Sequence, residues 1–557
     1  MLDTDPFQSI TIQICRDGSI LMLMEWADVH PTGVVIKSVN PLGREPESRR
    51  VGRMSTNTPE PSSTEPPRPA TADLEAGKAN ITDSITEAES SHTKTEEDSN
   101  LVDWDGDDDP ANPRNWSDGT KMIHVATVSI FVLIANLAST MFAPGVADLA
   151  LEFGVRNTIV VLMTVSIYVL GFALGPLILA PLSELYGRLI VYHFCNLGYI
   201  GFTFGCAFST DVAMFLVMRF LAGTMASGPL SVGGGTVADL YPPQLRGKAM
   251  SMFSLGPLLG PVIGPIVGGY VSQYIGWRWT FRIILILAGL SAASTALFTR
   301  ETNSAVLLQR KAAKLRRETG NELLRPKTAK QQTPREMLLS AIVRPIKLLV
   351  FSPIVLLMSL YTGIIFGLIF LLFATIPAIF APMYGFGKGV SGLCYLGLGI
   401  GMALGLVAFS KLSDNMLGRN GAPKPEDRLV LMKWVGTICP LGMFLYGWTA
   451  YYHVHWIVPI LGTFIVGVGA LFVMIPGQIY LVDAFGAQGA ASALAANLLI
   501  RCLFGAFLDL AADPLYHHLN VGWGNSVLAF ITLAFTPVPW LFHKYGEALR
   551  NRFPVDL

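Results

Sequence analysis

The chain has 557 residues, 51% of them hydrophobic and only 14% charged, against about 25% charged in a typical soluble protein, and its mean hydropathy is +0.47. Basic and acidic residues balance at 40 each, so the formal net charge is +0 and no basic field marks a nucleic-acid binder. The six cysteines are scattered, most of them in apolar runs, and show neither a disulfide framework nor metal-ligand spacing.

Residues 1–120 read as a tail. The first 53 have a mixed character and contain "SILMLMEW", too short and too acidic in its flank for a spanning helix or a signal peptide. Met54, with a polar stretch behind it, looks like a more natural start. From Met54 to Asn100 the chain is rich in Ser, Thr, Pro and Glu and nearly free of aromatics, too polar to bury a core, which predicts disorder.

From Met122 onward, long apolar runs alternate with short polar breaks. A spanning helix needs about 20 apolar residues, and twelve such runs are present. Six begin near Met122, Thr158, Leu189, Val212, Lys248 and Thr280, and six near Leu349, Val390, Leu429, Trp456, Ala490 and Val521. The expected division is a first half at 121–299, a central loop at 300–347, a second half at 348–543 and a short tail at 544–557. The loops after even-numbered spans hold Arg188, Arg246, Lys248, the basic cluster from Arg310 to Arg335, Lys411, Arg419, Lys424 and Arg428; those after odd-numbered spans hold little beyond Arg156, Arg278 and Lys388. Basic residues collect on the cytoplasmic side, so both termini are expected there, and the sequons at Asn80 and Asn115 would stay out of reach of glycosylation.

Span two runs into "LSELYGRL", with Ser183, Glu184, Gly187 and Arg188, and span eight into "LSDNMLGRN", with Asp414, Gly418 and Arg419. The same device in both halves is the mark of a transporter built from repeats. Arg219 lies about two helical turns inside span four and Arg501 inside span eleven; an ionisable group within a span faces a cavity or a partner. Asp239 and Asp483 close spans four and ten at equivalent positions, natural partners for bases such as Arg246 and Arg428, either as helix caps or as part of a gate. No ring of acidic residues sits mid-span.

Span five carries "GPLLGPVIGPIVGGY", with Gly256, Pro257, Gly260, Pro261, Gly264, Pro265, Gly268 and Gly269. Each interior proline deletes a backbone hydrogen bond and costs about 3 kcal/mol in a soluble helix. Glycines four apart drift only about 40° per step, so they form a slowly winding groove where another backbone can come close. The carbonyls freed by the prolines must find neighbours.

These residues carry a resemblance. "NPRNWS" at Asn112, "STMFAPGVADLALEFGV" at Ser139, "VLGFALGPLILAPLSELYGR" at Val169, "RFLAGTMASGPLSVGGGTVADLYPPQLRGKAM" at Arg219, the Gly-Pro stretch with "GWRWTFRI", "PEDRL" at Pro425 and "YLVDAFGAQGAASALAANLLIRCLFG" at Tyr480 resemble the major facilitator superfamily and, within it, the fungal twelve-span drug:proton antiporters. The resemblance implies an all-α membrane protein of twelve transmembrane helices in two pseudo-symmetric halves. It implies that Glu184 meets the start of span eleven near Gly489 to Ala491 and shuts the cytoplasmic side; Leu189 replaces a second base that the family usually carries there. It links Arg219, and with it Asp239, Glu426, Arg428, Asp483 and Arg501, to proton or charge relay. It makes span five the antiporter motif, packed on a helix of the second half. Asn136, Tyr168, Tyr361 and Phe366 are the candidate cavity residues.

The expected function is proton-coupled efflux of amphipathic organic compounds, in a monomer held in the plasma membrane with both termini cytoplasmic. Its partners are the lipid bilayer, protons and a small molecule. An importer of a small nutrient and a non-transporting receptor remain alternatives. No phosphate-binding Gly-Lys-Ser/Thr loop, cofactor motif, metal site or clustered catalytic set is present, and His517 and His518 read as a solvated pair.

Overall fold

A computed structural model describes residues 10–14, 20–24 and 100–557, except 243–244, 328–332, 418–423, 554 and 556–557. Within the unit Met1–Asp83, the apolar segments Ile10–Ile14 and Ile20–Met24 pair as an antiparallel hairpin. The rest of the expected tail before residue 100 lies outside the described residues.

The second unit, Ser84–Leu557, is an all-α bundle. Twelve of its described helices are long and apolar enough to cross a membrane: Asp118–Glu152, Thr158–Tyr186, Arg188–Ala207, Val212–Leu240, Ala249–Tyr274, Arg278–Phe298, Pro353–Tyr384, Lys388–Ser413, Pro425–Tyr451, Ile457–Gly486, Gly489–Ala511 and Pro514–Arg552. They are spans one to twelve. Large apolar side chains such as Leu197, Leu290 and Leu297 point outward, 64–76% exposed, a surface that only lipid covers without penalty. Twelve crossings put both ends of the bundle on one side, here the terminal face; the opposite side is the far face.

Local chemistry sets the helix ends. Ser117, Asn157, Asp211 and Ser352 each accept a backbone N–H in the first turn of a span. Gly187, at φ 104, makes the break between spans two and three, and Gly486, at φ 59, the break between ten and eleven. Asn520, at φ 58, kinks span twelve, which therefore starts several residues before the expected Val521.

The two halves repeat one packing scheme. In the first, span one packs on five, two on four and three on six; in the second, seven packs on eleven, eight on ten and nine on twelve. Small residues allow the approach: a Cβ at Gly171 would lie 2.5 Å from the Phe220 carbonyl oxygen, and one at Gly442 would lie 2.7 Å from the Val466 nitrogen. The halves meet where span five packs on eight and span two on eleven.

Two features differ from expectation. The central segment is no plain loop: it holds the helices Ser304–Thr319 and Pro334–Phe351, the second opened by a capping box of Thr333 and Glu336. The structureless tail does not reach residue 120 either. Leu101–Val102 pairs in parallel with Arg325–Pro326, and Lys311 bonds the Asp103 carbonyl oxygen at 2.9 Å and Asp105 at 2.6 Å. The Asp109 carboxylate accepts the N–H of Asp105 and of Ala111, which holds it below the usual carboxylate range.

Candidate functional site

Span five lies between span one and span eight. Its glycines face span one: a Cβ at Gly256 would lie 2.9 Å from the Leu133 nitrogen, one at Gly260 2.7 Å from Asn136 Cβ, and one at Gly264 2.5 Å from Thr140 Oγ1, while Gly268 abuts the Met141 carbonyl. The groove therefore packs within the first half, which corrects the expectation of a second-half partner for it. The second half is met by other faces of the same helix. Val262 fills the space beside Gly399, Pro265 and Ile266 that beside Gly392, and Gly269 abuts the Lys388 carbonyl. Gln273 accepts the Gly389 N–H at 2.8 Å. Pro257, Pro261 and Pro265 all sit inside the helix. Pro265 leaves the Pro261 carbonyl without its helical donor, and Thr140 Oγ1 donates to it at 3.1 Å.

At the terminal face each half carries one ion pair in an equivalent place. Arg188, opening span three, pairs with Asp239 at the end of span four, 3.3 Å away, and bonds Ser183 Oγ at 2.5 Å. Arg428, opening span nine, pairs with Asp483 at the end of span ten at 3.0 Å. The Arg428–Asp483 pairing matches the sequence reading. Arg246 does not meet Asp239; it donates to the carbonyls of Tyr241 and Ala238 at 2.8 and 3.0 Å. Glu426 pairs with Arg550 at 2.5 Å, tying spans nine and twelve. The side chain of Asp414 and all of Gly418 and Arg419 lie outside the described residues, as do the side chains of residues 487–488, beside which Glu184 is expected to reach span eleven. The Glu184 carbonyl accepts from Asn303 Nδ2 at 3.4 Å.

Glu301, at the end of span six, was not among the sequence candidates. It is 5% exposed and accepts the N–H groups of Arg188 and Leu189 at 2.8 and 3.2 Å. An acid thus sits on the free N–H groups of span three, where the helix dipole favours it. Leu189 lacks the second base, yet its backbone joins this cap. Glu301→Ala should destabilise the protein by about 1–3 kcal/mol by orphaning two buried donors, with Glu301→Gln milder. Thermal unfolding of purified protein measures it; an unchanged midpoint for the alanine variant would remove the cap from the account.

Deeper in the bundle, Arg219 is 2% exposed. Its Nη2 donates to the carbonyls of Ala138 and Ser139 at 3.0 and 3.3 Å. Those are among the last four carbonyls of the helix Asp118–Met141, which have no helical donor. The guanidinium also lies 4.5 Å from the Tyr168 ring centre and 5.2 Å from that of Phe281. A helix end and aromatic faces hold this charge; among the described residues no carboxylate pairs with it. Arg501 lies over Phe366 at 4.8 Å.

Three of the cavity candidates are packed away. Asn136 donates to Val132 O at 2.8 Å and lies beside Gly260; Tyr168 is fully buried and donates to Ala135 O at 2.9 Å; Tyr361 is fully buried against Phe535. Phe366 lies beside Gly505 at the span seven–eleven contact. Missed polar contacts include Asn497 Nδ2 to Thr362 Oγ1 at 2.7 Å, and two at the far face that join the halves: Lys388 to Asp148 at 2.5 Å, and Ser166 to Asp509 at 2.6 Å. Asp509 interrupts an apolar run as Arg501 does, and that was its signal in the sequence.

The family model described as Major Facilitator Superfamily matches residues 128–508. The chain is 64% identical over 497 residues to a protein of Fusarium sp. (strain FN080326) named MFS transporter fsa7, covering 88% of this chain and 98% of that one. It is 62% identical over 459 residues to the Trichosetin biosynthesis cluster MFS transporter of Gibberella fujikuroi, covering 82% and 90%. A solved D-xylose-proton symporter superposes with a TM-score of 0.57 at 16% identity, over 76% of this chain and 99% of that one, which shows the shared fold.

Proposed function

The chain belongs to the Major Facilitator Superfamily, and from that premise we propose that this multi-pass membrane transporter exports amphipathic organic molecules, fungal secondary metabolites among them, in exchange for protons. The observation that carries this reading is the kinship to a transporter named for a biosynthesis cluster, at 62% identity. A cell that assembles a bioactive compound gains from expelling it.

The terminal face is cytoplasmic, because the basic residues collect there, and the membrane is the plasma membrane. The protein works as a monomer whose halves, residues 121–299 and 348–543, rock about the span five–eight and span two–eleven seams. Ser183, Glu184 and Arg188, with Asp414, Gly418 and Arg419, gate the cytoplasmic side. The Arg188–Asp239 and Arg428–Asp483 pairs brace the helix ends that carry this gate. Arg219, Arg501 and Glu426 belong to the charge relay. The Gly-Pro helix seals the first half and offers its other faces to span eight.

The test is a panel of drugs and secondary metabolites on a pump-deficient fungal strain with and without the protein. Expression should raise tolerance several-fold for at least one amphipathic compound and lower its retention. Heightened sensitivity with faster uptake would instead identify an importer, and no change across the panel would remove the reading.

A further inference from the structure

One buried acid has no part in the relay above. Asp509 is 2% exposed, in the last turn of span eleven at the far face. Its Oδ2 lies 2.6 Å from Ser166 Oγ of span two, and its Oδ1 has no hydrogen-bond partner. This contact crosses from one half of the protein to the other.

The surroundings hold no countercharge. The turn around Asp509 packs against spans two, seven and twelve. Span two offers Ser166; its Tyr168 hydroxyl is committed to the Ala135 carbonyl. On span seven, the Tyr384 hydroxyl donates to the Val454 carbonyl and Tyr361 lies against Phe535. Tyr516 of span twelve bonds Asn525 at 3.1 Å, and Tyr395 of span eight donates to Phe373 O at 2.5 Å. Arg501, two turns back on span eleven, is taken up by Phe366. Among the described side chains no cation reaches the carboxyl.

Ser166 Oγ lies 2.6 Å from Asp509 Oδ2 and 3.2 Å from the Leu162 carbonyl oxygen, and it has a single hydrogen. If Asp509 carries a proton, its O–H donates to Ser166 and the serine O–H donates to Leu162, so both contacts are hydrogen bonds. If Asp509 is ionised, the serine can serve only one of them. The anion is then left in an apolar seam with one neutral donor, which costs several kcal/mol. The neighbouring Lys388–Asp148 pair also joins the halves, but its side chains are 37% and 30% exposed, so water screens them and their charges weigh less.

We propose that Asp509 and Ser166 form the proton-binding site of this transporter, and that the halves close at the far face only around a protonated Asp509. When spans two and eleven part at that face, the carboxyl meets external water and exchanges its proton there. Closure buries the neutral acid against Ser166. No covalent bond changes; one proton is bound on closing and one is given up when the acid is next hydrated. This deepens the proton-coupled reading and rests on it for its use in transport, but its test needs no export substrate.

The experiment follows the far-face distance directly. Spin labels go on cysteines placed at the exposed positions Arg156 and His517 of the full chain, in lipid nanodiscs; the five described native cysteines are buried. Double electron–electron resonance is recorded from about pH 5 to about pH 8, a range that spans the titration of a buried carboxyl. In the otherwise native protein the short distance should dominate in acid and a longer one should grow as protons leave. Asp509→Asn, a fixed neutral mimic, should hold the short distance throughout. Asp509→Glu and Ser166→Ala should move the midpoint while keeping a transition, and they decide the matter if the asparagine variant fails to accumulate. A pH-independent native distance, or an Asp509→Asn transition like the native one, would overturn the site. A native transition abolished by Asp509→Asn in a protein whose export ignores the pH gradient would uphold the site and sink the coupling.

Discussion

Arg219→Ala is expected to cut export at least tenfold at matched surface levels, with Arg219→Lys between it and the native protein. A charge at mid-membrane costs about 2.5–3.5 kcal/mol on insertion scales. The structure offsets this with two charge-assisted bonds to span one's last turn, each about 1.5–3 kcal/mol, and with the faces of Tyr168 and Phe281. Those contacts tie span four to spans one, two and six. Alanine leaves a void, two unserved carbonyls and a loose end of span one, where about 1.4 kcal/mol already means a tenfold effect. Lysine should keep part of the function because both bonds come from one nitrogen, Nη2, a point that an ammonium can occupy. Efflux assays in cells with equal surface protein measure this, and native export by the alanine variant would make Arg219 a passive charge.

Two leucine substitutions on opposite sides of span five should fail in different ways. At Gly260 a Cβ would already lie 2.7 Å from Asn136 Cβ and 2.8 Å from the Leu137 nitrogen. These atoms are fixed by backbone, so no rotamer change relieves the clash. Overpacking costs about 1–3 kcal/mol where side chains can adjust, and more is expected here. Gly260→Leu should separate spans one and five, lower the unfolding temperature and reduce surface protein. Gly392 lies on span eight, where a Cβ would be 2.7 Å from the Pro265 carbonyl oxygen across the seam between halves. Gly392→Leu should leave each half folded and spoil their closure, so the protein reaches the surface, stops exporting and lets protons leak. Melting temperature, surface level and cytoplasmic pH separate the outcomes. Equal loss of folding in both variants would mean that the seam is as much a folding contact as the groove.

What the sequence reveals follows the range of its signals. The twelve spans were legible because a membrane demands runs of fixed length, and the halves because "LSELYGRL" and "LSDNMLGRN" repeat. The Arg428–Asp483 pair was found from pseudo-equivalent positions. The partner of the glycine groove was not, because a groove on span five says that a backbone comes close and not which one. Arg188 rather than Arg246 takes Asp239 because span three's start, turned by Gly187, faces the end of span four, a geometry that no local pattern encodes. Glu301 was hidden for the same reason: its donors are backbone N–H groups 112 and 113 residues away. The helices of the central segment were missed because their polar composition reads as a loop, although Asn303, Thr333 and Glu336 are cap residues in plain view.

The central claim is export driven by protons, and its most direct test is a pH jump on inside-out plasma-membrane vesicles from cells that make the protein. The probe is a labelled compound to which expression confers tolerance. Acidifying the lumen, which corresponds to the cell exterior, should drive the compound into native vesicles against its gradient. Uptake should collapse when an ionophore equalises the pH, and vesicles without the protein should show none. Accumulation that persists after the ionophore, or that runs outward down the proton gradient, would contradict proton-coupled export.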